Sequence, residues 1–314
     1  MDLRRRRRAF LRRAALWCAA LVLIITSLSA FIRLSQAGLG CEPWPLCYGQ
    51  SLRQAQSIDA QPARDGAPVK VARLMHRVIA TVALLGVVMM VVVCFSSRPR
   101  LAREGGLALV LLVLALGLAV LGRWTAGARV PAVAMGNLLG GVLMLALCWK
   151  LAAQPAPIGR GNAPMLRVLA AVGVTLLLGQ IALGALTSAS YAGLSCSGTI
   201  DCFQSAATSG WQWQMLDPWR EPAFDAAPVP VNGNAALTQL IHRLGASMVL
   251  LVLGLLTFLA LRGARWREGL ALLLLLALEP VVGVSMVASG LALPLALAHN
   301  MIAALMLAVV FRMI

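Results

Sequence analysis

The chain has 314 residues, of which 60% are hydrophobic and 12% are charged, and its formal net charge is +16. Its mean hydropathy of +0.85 is well above that of a soluble protein and predicts an integral membrane protein. The positive charge does not indicate nucleic-acid binding, because the basic residues lie in short segments beside apolar runs and form no basic soluble domain.

Eight apolar runs follow one another along the chain. A helix needs about 20 apolar residues to cross a bilayer, and each run is close to that length or longer. Leu, Ala and Val dominate the runs, so we predict an all-α integral membrane protein with eight transmembrane helices. The predicted helices are residues 14–33, 71–95, 105–123, 130–152, 164–188, 236–261, 268–289 and 291–312.

Basic residues precede the first run and occupy the connections after the second, fourth and sixth runs. The first of these segments contains Arg4 to Arg8, whereas the alternating connections are longer and hold most of the acidic residues. The positive-inside rule therefore places the N-terminus in the cytoplasm and the longer connections in the periplasm of a bacterial inner membrane.

Two loops with the same cysteine spacing follow the first and the fifth runs. Their sequences are GLGCEPWPLCYG, with Cys41 and Cys47, and AGLSCSGTIDCF, with Cys196 and Cys202. Because the predicted topology puts both loops on the oxidising side, we expect each pair to form a disulfide. Metal binding is a weaker alternative, because neither loop contains a histidine.

The chain also contains an internal repeat. The segments RLMHRVIATVALL, from Arg73, and QLIHRLGASMVLL, from Gln239, follow the two cysteine loops, and the fourth and eighth runs begin with PAVAMGN and PLALAHN. We therefore predict two pseudo-repeated four-helix bundles, residues 1–152 and 160–314, joined by a linker rich in Pro and Gly.

The three histidines, His76, His242 and His299, all lie near the periplasmic end of an even-numbered run. An ionisable group in a membrane helix is costly unless it has a partner or a function. Because imidazoles from facing helices can hold haem, we predict that His242 and His299 clamp one haem. The alternative for each histidine is a hydrogen-bonded helix contact.

Other polar residues accompany the histidines. Arg77 and Arg243 directly follow two of them, and each could bind a haem propionate or extend to the lipid headgroups. Gln180 and Glu279 stand inside the fifth and seventh runs. For Glu279, which precedes Pro280, a paired or protonated acid at a helix kink is favoured over proton delivery to the haem.

The segments GLGCEPWPLC, HRVIATV, GQIALGALTSASYAGLSC and IHRLGA, together with His299, resemble the heme A synthases. This cytochrome oxidase assembly family converts haem O to haem A by oxidising a ring methyl to a formyl group. The resemblance implies a resident haem b between His242 and His299. It implies a haem O substrate in the N-terminal bundle, where His76 matches a histidine of the family. His76 and Glu42, the acid nearest to this site in the outer loop, are the candidate catalytic residues.

Two positions depart from the family pattern. The resemblance leads us to expect a second histidine on the fourth helix, where this chain has Gly136 or Asn137, depending on the alignment. It also leads us to expect a glutamate three residues before His76, where this chain has Arg73. A haem with one axial imidazole has an open face, which suits chemistry or release better than electron transfer.

The expected partners are haem O, membrane lipid and an electron donor of unknown identity, with haem O synthase and a second copy of the chain as further candidates. The alternative function is that of a non-catalytic membrane b-type cytochrome or a haem-handling assembly factor. A transporter is disfavoured, because the polar residues cluster at one edge of the membrane rather than at its midplane.

Overall fold

The computed structural model describes residues 3–36, 67–96, 98, 100–124, 130–153, 163–222 and 231–314. These residues form nine α-helices and three short 3-10 turns, and no strand occurs among them. The helices are α1 Leu3–Gln36, α2 Ala67–Phe95, α3 Ala102–Trp124, α4 Pro131–Ala152, α5 Ala163–Ala189, α6 Thr199–Thr208, α7 Ala236–Leu261, α8 Trp266–Ala288 and α9 Leu293–Met313.

Eight of these helices, all except α6, are long and apolar enough to cross a membrane. The predicted all-α class with eight transmembrane helices is therefore confirmed. The largest difference in boundaries is at α1, which begins at Leu3 rather than at residue 14. Arginine and leucine are good helix formers, so the arginine-rich segment continues the helix beyond the apolar run.

The eight long helices form two rings of four. In the first ring, α1 packs against α2, α2 against α3, α3 against α4, and α4 against α1. In the second ring, α5, α7, α8 and α9 pack in the same cyclic order. The rings meet through α4 and α9, with α4–α5 and α1–α9 contacts on either side. The division into two repeated bundles stays a prediction, which this shared order supports.

The two ends of the rings differ in character. We call the end that carries residues 190–222 and 231–235 the disulfide side and the opposite end the basic side. On the basic side, the buried Arg7 donates hydrogen bonds to the carbonyl oxygens of Val93 and Cys94 in the last turn of α2. Those carbonyls have no partner within the helix. Part of the arginine run therefore fastens α1 to α2.

Close packing in the first ring depends on two adjacent glycines of α4. A Cβ at Gly140 would lie 2.5 Å from Leu118 Cδ2 of α3, and one at Gly141 would lie 2.6 Å from Thr26 Cγ2 of α1. Small residues at such positions let membrane helices approach closely. The Gly140–Gly141 pair thus sets the spacing of α4 from both of its neighbours.

We expect Gly140→Leu to destabilise the fold by about 1–3 kcal/mol, because the added side chain overpacks the contact with Leu118. The matched control is Gly117→Leu in α3, where a Cβ would meet nothing within 4 Å. The thermal midpoint of the purified protein in detergent is expected to fall for Gly140→Leu and to stay unchanged for Gly117→Leu. Equal midpoints for the two variants would contradict this packing role.

Candidate functional site

Two of the three histidines lie in the second ring. His242 and His299 are each about two turns from the disulfide-side end of their helices, α7 and α9. These helices occupy diagonal positions in the ring. The structure thus places the two residues that the sequence predicted as a pair at the same depth of one ring.

His242 is held by the neighbouring helix α5. Gln180 Nε2 lies 3.0 Å from His242 Nδ1 and donates a hydrogen bond of 2.9 Å to the main-chain oxygen of His242. The ring also packs over Gly184, where a Cβ would lie only 3.1 Å from His242 Cε1. A side chain at residue 184 would therefore displace the imidazole.

His299 has the same kind of neighbours on α8. Glu279 Oε1 lies 3.2 Å from His299 Nδ1, and the two side chains are only 16% and 24% exposed. A Cβ at Gly283 would lie 3.2 Å from His299 Cε1. The interpretation of Glu279 as a paired acid agrees with this contact, and its partner is His299.

Each histidine therefore contacts a polar residue of a neighbouring helix and a glycine one turn further along that helix. Sequence analysis found Gln180 and Glu279 but missed Gly184 and Gly283. The signal was present in the equal spacing of GQIALG and LEPVVG, because residues four apart lie on one face of a helix. Each pair thus presents one surface to an imidazole of the adjacent helix.

The donor set of this site suits a haem. Each Nδ1 faces a polar group of a neighbouring helix, and the second ring nitrogen is the usual iron ligand of a neutral imidazole. Two imidazoles are the axial set of a bis-histidine haem, whereas a structural zinc ion uses four ligands. Gly184 and Gly283 leave room for the two imidazole rings, which contact Gln180 and Glu279 through Nδ1. His242 and His299 therefore fit a haem.

Arg243 connects the helix of His242 to the second cysteine loop. Its guanidinium donates a hydrogen bond of 3.1 Å to the main-chain oxygen of Ser197. The Asp201 carboxylate accepts hydrogen bonds from Ser197 N and Oγ at 2.7 and 2.9 Å. These two hydrogen bonds lower the pKa of Asp201. The binding of a propionate by Arg243 stays a prediction.

The second cysteine loop is closed by a disulfide between Cys196 and Cys202, with the two Cα atoms 5.0 Å apart. The prediction for this pair is confirmed. The loop also contains the unpredicted helix α6, which buries Cys202 and Ala206. Cys41, Cys47 and Glu42 of the first loop lie outside the described residues, so their predicted roles stay predictions.

The first ring has a different set of residues at the corresponding places. The half-buried His76 lies in α2, with the exposed Arg77 beside it and the half-buried Arg73 one turn before. On α4, diagonal to α2, a Cβ at Gly136 would lie 3.0 Å from Leu121 Cδ2. One imidazole therefore stands across the ring from a glycine and not from a second imidazole.

The polar partner of the histidine also changes between the rings. Alignment on the cysteine loops places Ile25 of α1 where α5 has Gln180. Alignment on the His-Arg motifs places Ile79 where α7 has Gly245. Gln180 Oε1 lies directly against Gly245, where a Cβ would collide with it. The amide and the space that accommodates it are thus replaced together by two isoleucines.

Two hydrogen bonds on the disulfide side join the rings. Ala132 N at the start of α4 donates to Pro218 O of the connection between α6 and α7, at 2.8 Å. Arg33 Nη1 of α1 donates to Ser188 Oγ of α5, also at 2.8 Å. The long connection of the second ring therefore reaches the helix of the first ring that carries Gly136.

Thiol labelling of the denatured protein without reduction is expected to leave Cys196 and Cys202 unmodified and to modify both after reduction. Cys18, Cys94 and Cys148 are free thiols and are expected to be modified under both conditions, which provides an internal control. Mass spectrometry of the labelled peptides measures the outcome. Labelling of Cys196 and Cys202 before reduction would disprove this disulfide.

Comparisons with known proteins agree with these observations. The family model described as cytochrome oxidase assembly protein matches residues 12–311, a range that includes all three histidines. A heme A synthase from Shewanella oneidensis is 33% identical to this chain over 313 residues, which cover 93% of this chain and 93% of that protein. The resemblance inferred from the sequence motifs is therefore confirmed.

Proposed function

The chain belongs to the cytochrome oxidase assembly protein family, and we propose from this premise that it is a heme A synthase. In this function it oxidises a ring methyl of haem O to the formyl group of haem A. The similarity to a heme A synthase extends over 93% of both chains. The observation that carries the proposal is the pair His242 and His299, each held at Nδ1 by a neighbouring helix.

The second ring is the proposed site of a resident haem b. When bound there, the haem supplies one-electron redox chemistry. His242 and His299 hold it, Gln180 and Glu279 orient the two imidazoles, and the glycines beneath the rings keep the space free. Arg243 fastens the disulfide loop over this end of the ring.

The first ring is the proposed haem O site. His76 positions the substrate, and Arg77 lies at the membrane edge where it can meet a propionate. Gly136 leaves the opposite face of the substrate without an imidazole, which supports chemistry or release at this site. Glu42 is proposed as a second catalytic residue, from its place in the loop that precedes His76.

The proposed location is a bacterial inner membrane, with a cytoplasmic N-terminus and periplasmic cysteine loops. The arginines of the basic side support this orientation, as does the disulfide of the opposite side. An electron donor, haem O synthase and a second copy of the chain are the proposed protein partners.

A second candidate function is that of a non-catalytic b-type cytochrome or a haem-handling factor. The departures in the first ring favour it, because Gly136 or Asn137, depending on the alignment, replaces the expected second histidine and Arg73 replaces the expected glutamate. The second ring would then carry electrons or haem without oxidising a methyl group.

Pigment analysis separates the two functions. The protein is purified from cells supplied with haem O, and its extracted haems are identified by mass. The synthase is expected to yield haem A or the hydroxylated intermediate, and His76→Ala is expected to yield haem b alone. Haem b alone from the unmodified protein, with haem O present in the cells, would favour the cytochrome.

The proposed ligands are tested by absorption spectroscopy. His242→Ala and His299→Ala are each expected to abolish the low-spin haem spectrum, because either change leaves the iron with one axial imidazole. An unchanged spectrum in both variants would contradict the pair.

The glycine beneath His242 provides a matched comparison for this test. Gly184→Leu is expected to weaken the low-spin spectrum by displacing the imidazole of His242. Gly179→Leu on the same helix is expected to leave it unchanged, because a Cβ at Gly179 would meet nothing within 4 Å.

A further inference from the structure

The two histidines of the second ring have equivalent surroundings but unequal partners. His242 Nδ1 faces the amide nitrogen of Gln180, which is neutral and can only donate hydrogen bonds. His299 Nδ1 faces the carboxylate of Glu279, which when ionised can only accept. This difference in charge and in hydrogen-bonding capacity is the observation from which the inference starts.

We infer that Glu279 is a positioning residue that makes His299 the stronger electron donor of the two haem ligands and lowers the reduction potential of the haem. The inference rests on the proposed function, because it takes His242 and His299 as the ligands. It goes beyond that function because it assigns to Glu279 the control of the electron affinity of the proposed resident haem.

The tautomer of each imidazole supplies the first step. A neutral histidine that binds iron through Nε2 carries its proton on Nδ1. Glu279 Oε1 lies 3.2 Å from His299 Nδ1, an ion-pair contact without hydrogen-bond geometry among the described residues. An ionised Glu279 can accept the Nδ1 proton across this contact, which favours the ligating tautomer of His299. Gln180 does not select in this way, because its nitrogen contacts His242 Nδ1 while its oxygen is buried without a hydrogen-bond partner among the described residues.

The charge that Glu279 carries when it is ionised supplies the second step. A carboxylate behind a ligating imidazole raises the basicity of that ligand, which stabilises ferric over ferrous iron. The second oxygen of Glu279, Oε2, is buried and has no hydrogen-bond partner within the described part of the chain. The carboxylate therefore acts chiefly on His299.

The same helix contains a matched control. Glu268 lies near the other end of α8, is also buried, and pairs with Arg312 of α9 at 3.4 Å. Glu279→Gln and Glu268→Gln thus make the same chemical change in two contacts between the same two helices, and only the first contact involves a proposed haem ligand.

The test is a redox titration of the purified haem-loaded protein followed by absorption. Glu279→Gln is expected to shift the reduction equilibrium about tenfold toward the ferrous form, which is about 59 mV for a one-electron couple, and to retain the low-spin spectrum. Glu268→Gln is expected to shift the equilibrium less than about twofold. Glu279→Asp, which restores the charge, is expected to move the equilibrium back toward that of the unmodified protein.

The outcomes separate this inference from the proposed function. If His299→Ala keeps the low-spin spectrum, the ligand pair fails, and the inference fails with it. If His299→Ala loses the spectrum but Glu279→Gln titrates like the unmodified protein, only the role of Glu279 is overturned. If Glu279→Gln loses the haem, the thermal midpoints of the haem-free variant and the haem-free unmodified protein are compared. Equal midpoints support the role of Glu279 as a positioning residue, and a lower midpoint for the variant overturns that role.

Discussion

The arrangement of the second ring depends on one constraint, which is that polar groups inside an apolar bundle need partners from the protein itself. Each imidazole lies against a polar side chain of a neighbouring helix, His242 against Gln180 of α5 and His299 against Glu279 of α8. The contacts hold α7 to α5 and α9 to α8, and they fix the rotation of each helix about its axis. A structural requirement of the membrane thereby orients the two proposed haem ligands.

The first ring carries fewer polar groups at the equivalent positions, so the same constraint acts on it less strongly. Ile25 and Ile79 align with Gln180 and Gly245 of the second ring. Apolar side chains therefore replace both the Gln180 amide and the space at Gly245 that accommodates it. Gly136 stands where the second ring has His299. These differences support the proposed division between a firmly held resident haem in the second ring and a more open substrate site in the first ring.

The rings are joined on the side where both proposed sites lie. The Arg33–Ser188 hydrogen bond and the contact of Ala132 with Pro218 cross the boundary there, while Arg243 fastens the disulfide loop to the helix of His242. The disulfide between Cys196 and Cys202 limits the conformations of that loop. The connection between α5 and α7 is thus attached both to the helix of His242 and to α4 of the first ring.

The sequence by itself determined the eight spans, the cysteine pair of the second loop and the shared depth of the histidines, because apolar run length, charge placement and short spacings are local properties. The start of α1 at Leu3 and the helix α6 were missed, because apolar run length does not detect a basic helical extension or a ten-residue helix inside a loop. Only the tertiary structure decided that α7 and α9 are diagonal, and that Gln180 meets His242 while Glu279 meets His299. These contacts join residues 20 or more positions apart, and they depend on ring order and helix rotation, which arise from packing between helices.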